Sequence, residues 1–544
     1  MRDMVQVGRS GGNRFAEEPQ ARIGRSQFNR SHGRKMSFDA SYLYPILVDE
    51  VLPGDTFTCR LNGFTRIFSP LDAPVMDNIE LETFYFFIPS RLVWEHWEAF
   101  NGAHDGAGAQ DTNYTIPVMG AGLNVNHNNS GYGVGHLAGF MGLPDGLLSA
   151  QVNINSLPFR CYNRVYNEWF RDQNLTDELT MSVADASDTT SWYAIQKSAK
   201  KHDYFTGALP YLQKGDAQAV SIGTTAPIVG MGKLNTAWLG AGPYDAYETN
   251  TTAAQSYVNA AHIDGTSGNN AWYVEEDPNK TGYPGIYADL TAATGVTINA
   301  LRESVAIQRL LEKDARGGTR YVELIKSHFG VTSPDFRLQR PEFLGGGKSY
   351  INISPVANTS DTATWAQGEL AGVGTGVMGG GFAKSFTEHG YILGLMRARG
   401  DVTYFQGVDK LWSRTTRYDF YIPALANLGE QSVLNKELFV SNSAATDNAV
   451  FGYQERWNEY RHKPSQCIGL FNPDVSGSLS HWHLAEDFAS LPSLNTTFIE
   501  DATPMSRVTT VDTEHDFIAD MWFDYRCARP MPVHSIPSLM GGRF

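Results

Sequence analysis

The 544 residues predict a mainly β protein, a sandwich or barrel with long excursions between its strands. Three observations lead there. Residues 516–527, DFIADMWFDYRC, alternate: Phe517, Ala519, Met521, Phe523, Tyr525 and Cys527 share one face, and Asp516, Asp520, Asp524 and Arg526 the other. Helical periodicity is confined to a few short stretches. Charged residues are only 19% of a chain with 53 glycines and 12% aromatics, below the ~25% charge of an average globular protein. That balance suits strands with long loops, or a surface largely hidden against copies of itself.

Residues 1–35 read as a basic arm without periodicity. They carry Arg2, Arg9, Arg14, Arg22, Arg25, Arg30, Arg34 and Lys35 against Asp3, Glu17 and Glu18, whereas the whole chain has a formal charge of −15. A basic arm on an acidic body points to an arm that meets a polyanion, or one that packs on a neighbouring subunit. Phe15 and Phe28 interleave with its arginines, a combination that binds single-stranded nucleic acid by charge and stacking. On this reading Arg9, Arg14, Arg22, Arg25, Arg30, Arg34 and Lys35 are the candidate DNA contacts.

After the arm come strands over 55–69, with Phe57, Cys59 and Leu61 on one face, and over 78–88. A short helix is expected in RLVWEHWEAF after Pro89-Ser90. A longer one covers 157–172, with Pro158 in its first turn. Residues 215–295 change character: two basic and eight acidic side chains lie among Gly, Thr, Ala and Asn. A segment of that length is an insertion with its own role. Its aromatics Trp238, Tyr244, Trp272 and Tyr283 are candidate glycan-stacking residues. Ile298, Leu301 and Val305 have helical spacing, stopped at Arg316-Gly317-Gly318. Val322, Ile325 and Phe329 repeat it, closed by Gly330. A loose loop is expected over 358–382, then strands over 390–405, 415–422 and 516–527. The chain thus reads as arm 1–35, body 36–214, insertion 215–295 and body 296–544.

The motifs for chemistry are weak. Gly345-Gly346-Gly347-Lys348-Ser349 imitates the end of a phosphate-binding loop. Glu342 stands where the first glycine belongs, and a strand follows where a helix should; a glycine loop is the simpler reading. Gly374-Thr375-Gly376-Val377-Met378-Gly379 matches G-x-G-x-x-G without the βαβ unit that gives it meaning. Gly8-Arg9-Ser10-Gly11-Gly12 matches a nucleophile elbow but lies in the arm. His481-Trp482-His483, with Glu486 and Asp487 near, is the best metal candidate, since H-x-H on a strand puts both imidazoles on one face. The four cysteines, Cys59, Cys161, Cys467 and Cys527, lie far apart and fit free thiols in a reducing compartment. Neither a signal-like start nor a run of 18 apolar residues is seen. The expectation is therefore a protein without membrane insertion.

Several long stretches resemble one family. NRFAEEP, FNRSHGRKMSFDASYLYPILVDEVLPGDTF, LPFRCYNRVYNEWFRDQNL, RLLEKDARGGTRYVELIKSHFGVTSPDFRLQRPEFLGGGKS, TTRYDFYIPALANLGEQ and RCARPMPVHSIPSLM are similar, in order, to the major capsid protein of gokushoviruses, in the phage family Microviridae. The likeness covers most of 13–214 and 296–544 and lapses at 215–295 and 358–382. It implies an eight-stranded antiparallel jelly roll with no cofactor and no catalysis. It also implies self-assembly, via pentamers, into a T=1 icosahedral shell in the host bacterial cytoplasm. The implied partners are circular genomic single-stranded DNA, an internal scaffolding protein, a DNA pilot protein, a small DNA-binding protein and a host surface receptor met by a threefold protrusion at 215–295. The alternatives are a metal-dependent jelly-roll enzyme around His481 and His483, and a carbohydrate-binding β-sandwich.

Overall fold

The computed structural model describes residues 24–103, 114–119, 136–144, 154–216, 298–318, 320–332, 339–359 and 367–534, with short strands between 228 and 288. The chain divides into two compact units, one of residues 1–212 with 319–544 and one of residues 213–318.

The larger unit is built on one curled antiparallel sheet. Its strands are β1 (Ser26–Asn29), β2 (His32–Phe38), β3 (Tyr44–Val51), β4 (Thr56–Ile67), β5 (Ile79–Pro89), β6 (Glu342–Ala357), β7 (Leu370–Ser385), β8 (Gly390–Gly400) and β9 (Phe517–Arg529). Across the sheet the order is β1/β2, β9, β4, β7, β6, β5, β8, β3, with β1 and β2 successive segments along the same edge of β9. With β1 and β2 taken as one strand, the order becomes 1-8-3-6-5-4-7-2. This is a jelly roll, in which the last strand lies beside the first, and the fourth, fifth and sixth strands are the sequence neighbours paired together.

Alternation drives the curl. Phe57, Cys59, Leu61 and Ile67 of β4, and Phe517, Met521, Phe523 and Tyr525 of β9, point inward and are buried, together with Ile79, Leu81, Tyr85 and Phe87 of β5 and Ile392, Met396 and Ala398 of β8. Phe57 stacks on Tyr525 and Phe38 on Phe517, each pair with centroids 5.2 Å apart. β5 and β8 are buried on both faces. Their outward side chains Phe86, Ile88, Leu393 and Leu395 form a second core with Leu157, Phe159, Tyr162 and Val165 of the helix Leu157–Val165. That helix passes into a π-helical turn at Tyr166–Phe170, so the predicted helix over 157–172 is regular only in its first half. Arg160, on this helix, is fully buried. Its guanidinium meets Asp188 through Nε (2.7 Å) and Nη2 (2.8 Å), and Nη1 donates to the Val93 carbonyl (3.0 Å).

Several expectations are corrected. Gly345–Gly347 are not a loop but lie within β6, paired with Thr83–Tyr85 of β5. Of the loose loop expected over 358–382, residues 360–366 lie outside the described residues, Gln367-Gly368 is a turn, and β7 runs from Leu370. The reason is a seam where backbones cross without room for side chains. A Cβ on Gly347 would lie 2.2 Å from the Gly379 carbonyl oxygen, and one on Gly345 2.5 Å from that of Gly381. Within the expected arm, β1 and most of β2 already belong to the sheet, because their backbone groups complete the open edge of β9. RLVWEHWEAF makes a 3₁₀ turn at Ser90–Leu92 and one helical turn at Trp97–Phe100 in place of a continuous helix. Residues 415–422 form no strand; a 3₁₀ turn at Arg417–Asp419 is capped by Asp419, which accepts from the backbone N–H groups of Thr415 (2.9 Å) and Thr416 (2.6 Å). The excursion between β8 and β9 carries a separate antiparallel hairpin, Glu430–Leu434 with Val450–Glu455.

The helix Tyr321–Phe329 ends as the sequence predicts, on Gly330 at φ 69°, whose N–H donates to the Lys326 carbonyl. In the smaller unit the described elements are the helix Ile298–Arg316 and three short antiparallel pairs: Ile228–Val229 with Tyr287–Ala288, Met231–Gly232 with Tyr273–Val274, and Tyr244–Ala246 with Gln255–Tyr257.

Candidate nucleic-acid and assembly surfaces

The seven candidate DNA contacts do not form one cluster. Arg9, Arg14 and Arg22 lie outside the described residues. Arg25 is exposed and donates to Thr56 Oγ1 (2.6 Å) and the Ala528 carbonyl (3.1 Å). Arg30 pairs in a fork with Asp49, one arm at 2.8 Å, and Tyr525 donates its hydroxyl to the same carboxylate. Burial works against the Arg30 cation, but Asp49 outweighs it and raises its pKa. Arg34 donates to the carbonyls of Ile46 (3.1 Å) and Phe140, and burial lowers its pKa. Lys35 is exposed, with no ion pair among the described residues. Arg30 and Arg34 are therefore spent on fixing the arm to the barrel, while Arg25 and Lys35 remain at the surface.

Of the insertion aromatics, Trp238, Trp272 and Tyr283 lie outside the described residues, and Tyr244 begins one of the short strands. The phosphate-loop imitation is disposed of by its lysine. Lys348 donates to Glu80 Oε1 at 2.6 Å, and Lys201 binds the other oxygen. Burial alone would raise the Glu80 pKa; the two lysines outweigh it and lower it. Next along β5, Glu82 takes Arg397 (2.7 Å) and Arg399 (3.1 Å) from β8. Lys348 is thus part of an ionic network across β6, β5 and β8. The G-x-G-x-x-G stretch lies inside β7, where no helix follows.

His481 and His483 lie at a 3₁₀ turn, Ser480–Trp482, and not on a strand. His481 Nδ1 faces the Arg507 carbonyl (3.1 Å) and His483 Nδ1 accepts from the Ala485 N–H (3.1 Å). Burial, helped by Arg507, lowers the His483 pKa. Glu486 is paired with Lys200 at 2.8 Å. No group of three His, Cys, Asp or Glu that could hold a metal occurs among the described residues. The cysteines are free, and burial pushes the Cys59 thiol up to about 12, far from a reactive thiolate.

Sequence reasoning missed the excursion between β8 and β9 as a surface. Trp412 (78% exposed) and Ile468 (77%) stand out there with Tyr418, Phe420, Tyr460 and Leu470, also exposed. The legible signal was the alternation of 415–422, which marks apolar side chains but not what covers them. Trp412 and Ile468 border a cavity of about 280 Å³ that also meets Tyr204, Phe205 and Tyr404. Among the described residues no helix is long and apolar enough to cross a membrane.

Residues 16–539 match a protein family described as "Capsid protein (F protein)". The chain is 45% identical to the capsid protein VP1 of Bdellovibrio phage phiMH2K, over 97% of this chain and 98% of that one. It is 40% identical to the capsid protein VP1 of Chlamydia phage 1, again over 97% and 98%. With the capsid protein VP1 of Spiroplasma virus 4 it shares 32% over 95% and 96%. With a jelly-roll sheet and these relatives along nearly its whole length, the chain belongs to the phage F-protein capsid family as a major capsid protein of the gokushovirus kind, a structural protein of the virion and not an enzyme.

Proposed function

We propose that copies of this chain assemble through pentamers into a T=1 icosahedral shell around a circular single-stranded DNA genome. The observation that carries the reading is the number of uncovered aromatic and aliphatic side chains between β8 and β9. Trp412, Tyr418, Phe420, Ile468 and Leu470 are exposed on a single chain. Patches of that kind on soluble proteins are covered in assemblies. Assembly takes place in the host cytoplasm on an internal scaffolding protein. A DNA pilot protein and a small DNA-binding protein accompany the genome. The acidic body, −15 overall even with the basic arm, repels phosphate where it faces inward uniformly. Basic groups must therefore meet the genome, and Arg9, Arg14, Arg22, Arg25 and Lys35 are the arm's contribution. The insertion 215–295 faces outward, and Trp238, Tyr244, Trp272 and Tyr283 contact the host surface receptor.

The test is sedimentation of the chain co-expressed with its scaffolding protein, with the 260/280 nm absorbance ratio read across the gradient. A fast, homogeneous particle is expected from that co-expression, and one with nucleic-acid absorbance from infected cells. A chain that stays at 60.0 kDa with its scaffold present refutes the shell. Particles whose nucleic acid is duplex refute the single-stranded genome.

A further inference from the structure

The outer face of β2, β9, β4 and β7 has a composition unlike the rest of the chain. The registers align it in rows. Ser37, Ile518, Arg66 and Thr375 make one row; Lys35, Asp520, Phe64 and Val377 the next; then Gly33, Trp522, Asn62 and Gly379. Beyond them Asp524 faces Arg60, and Arg526 faces Thr58. Trp522 is 53% exposed and Phe64 49%. Lys35, Arg60 and Arg66 are exposed and make no ion pair among the described residues, whereas Arg526 reaches Asp524 at 3.3 Å. Four cations therefore stand against two carboxylates on this face, in a chain with 58 acidic and 43 basic residues.

We infer that this sheet face is a single-stranded nucleic-acid platform. It rests on the reading that the shell encloses a single-stranded genome, and it names where that strand lies. Phe64 and Trp522 are diagonal neighbours on adjacent strands, roughly 7 Å apart, so neighbouring bases of one strand stack on each. The indole lies beside Gly33, where a Cβ would come 3.5 Å from its Cε3. Lys35, Arg60 and Arg66 flank the two rings at phosphate reach, and Asn62 and Thr58 offer hydrogen bonds to bases of any sequence. Aromatic rings on an open sheet between unpaired cations bind single strands without base preference. A duplex buries its base faces and leaves the rings nothing to stack on. Asp520, between Lys35 and Phe64, weakens the site, so Asp520→Asn tightens it.

The test has two arms. In intact particles, ultraviolet crosslinking followed by peptide mass spectrometry is expected to mark the peptides holding Phe64 and Trp522. With the full-length chain before assembly, binding of fluorescent oligo(dT) is followed over a salt series. Trp522→Ala is expected to weaken binding about tenfold or more, and Trp522→Phe, which keeps a ring, to restore most of it. The triple variant Lys35→Gln, Arg60→Gln, Arg66→Gln is expected to flatten the salt slope by roughly 2. DNA-filled particles whose crosslinks all fall elsewhere overturn the site while leaving the single-stranded genome intact. So does an unassembled chain that ignores oligo(dT), or one whose variants bind it like the parent. If Trp522→Ala binds oligo(dT) normally but fails to form shells, the face seats a protein and the inference is wrong. Particles with no single-stranded DNA overturn the underlying reading instead.

Discussion

The glycine seam allows a prediction with an internal control. β6 and β7 bring Gly345–Gly347 and Gly379–Gly381 together where the sheet folds over. In Gly347→Ala the new methyl would sit 2.2 Å from the Gly379 carbonyl oxygen, and in Gly381→Ala 2.1 Å from that of Cys59. Each is about 1 Å short of ordinary contact. The obstacle is backbone held in a ladder, so the strands must part, at about 1–3 kcal/mol or more. Gly379 lies in the same run, yet a Cβ there meets nothing within 4 Å, and its φ is not positive. Gly379→Ala therefore costs nothing, and gains about 0.4–1 kcal/mol from the less flexible unfolded chain. The two classes should differ by roughly 1.5–4 kcal/mol. Urea unfolding of the full-length chain, with hydrogen exchange of 342–357 and 370–385 as a local readout, measures it. Equal stability for Gly347→Ala and Gly379→Ala would refute the close-approach account and return these glycines to a mere flexibility role.

Asp188→Ala strips the buried Arg160 of its carboxylate and should cost about 3–5 kcal/mol, read as a lower urea midpoint at unchanged slope; an effect below 1 kcal/mol contradicts the burial of the pair. Trp412→Ser should leave the unassembled chain within about 0.5 kcal/mol of the parent yet cut particle yield; unchanged yield removes Trp412 from the shell contacts. Asp501 is buried, and burial lifts its pKa to about 6 against the cations Arg397, Arg399 and Lys200. A carboxyl raised above its unfolded value favours the fold when protonated, so stability falls as pH climbs from about 4 to 6, by roughly 3 kcal/mol for a shift of about two pH units. Asp501→Asn should flatten that slope, and a wild-type pH profile in the variant would assign the slope to other groups.

What the sequence makes legible depends on where each side chain is buried. β9 reads correctly because its inward side chains are covered by its own chain, so alternation and burial coincide. β7 does not, because its pattern is inverted. Gly372, Gly374 and Gly376 are buried, while Val373 and Val377 are exposed. A search for apolar alternation finds glycines inside and valines outside, and reads a loop. Residues 415–422 fail in the opposite sense, with Tyr418 and Phe420 alternating like a strand and yet exposed. The candidate site divides in the same way. Arg30 and Arg34 are indistinguishable in sequence from Arg25 and Lys35, and only the positions of Asp49 and of the Ile46 carbonyl separate structural cations from available ones.

These failures share a physical cause. Periodicity measures burial, and in a subunit of a shell part of the burial is supplied by other molecules. On the proposed assembly, the alternation of 415–422 is a burial signal whose cover is a neighbouring copy. Trp522, which sits on the charged face of an otherwise regular strand, is a signal of the same type. An exposed indole costs about 25 cal/mol for each Å² of apolar surface left in water, and the barrel offers nothing to cover it. The side chains that break a strand's own pattern are therefore the places to look for what the subunit meets. Here they differ in company: Trp412 shares its excursion with the exposed Tyr418, Phe420, Ile468 and Leu470, which suit protein, and Trp522 shares its sheet face with unpaired cations, which suit a polyanion with flat, stackable faces.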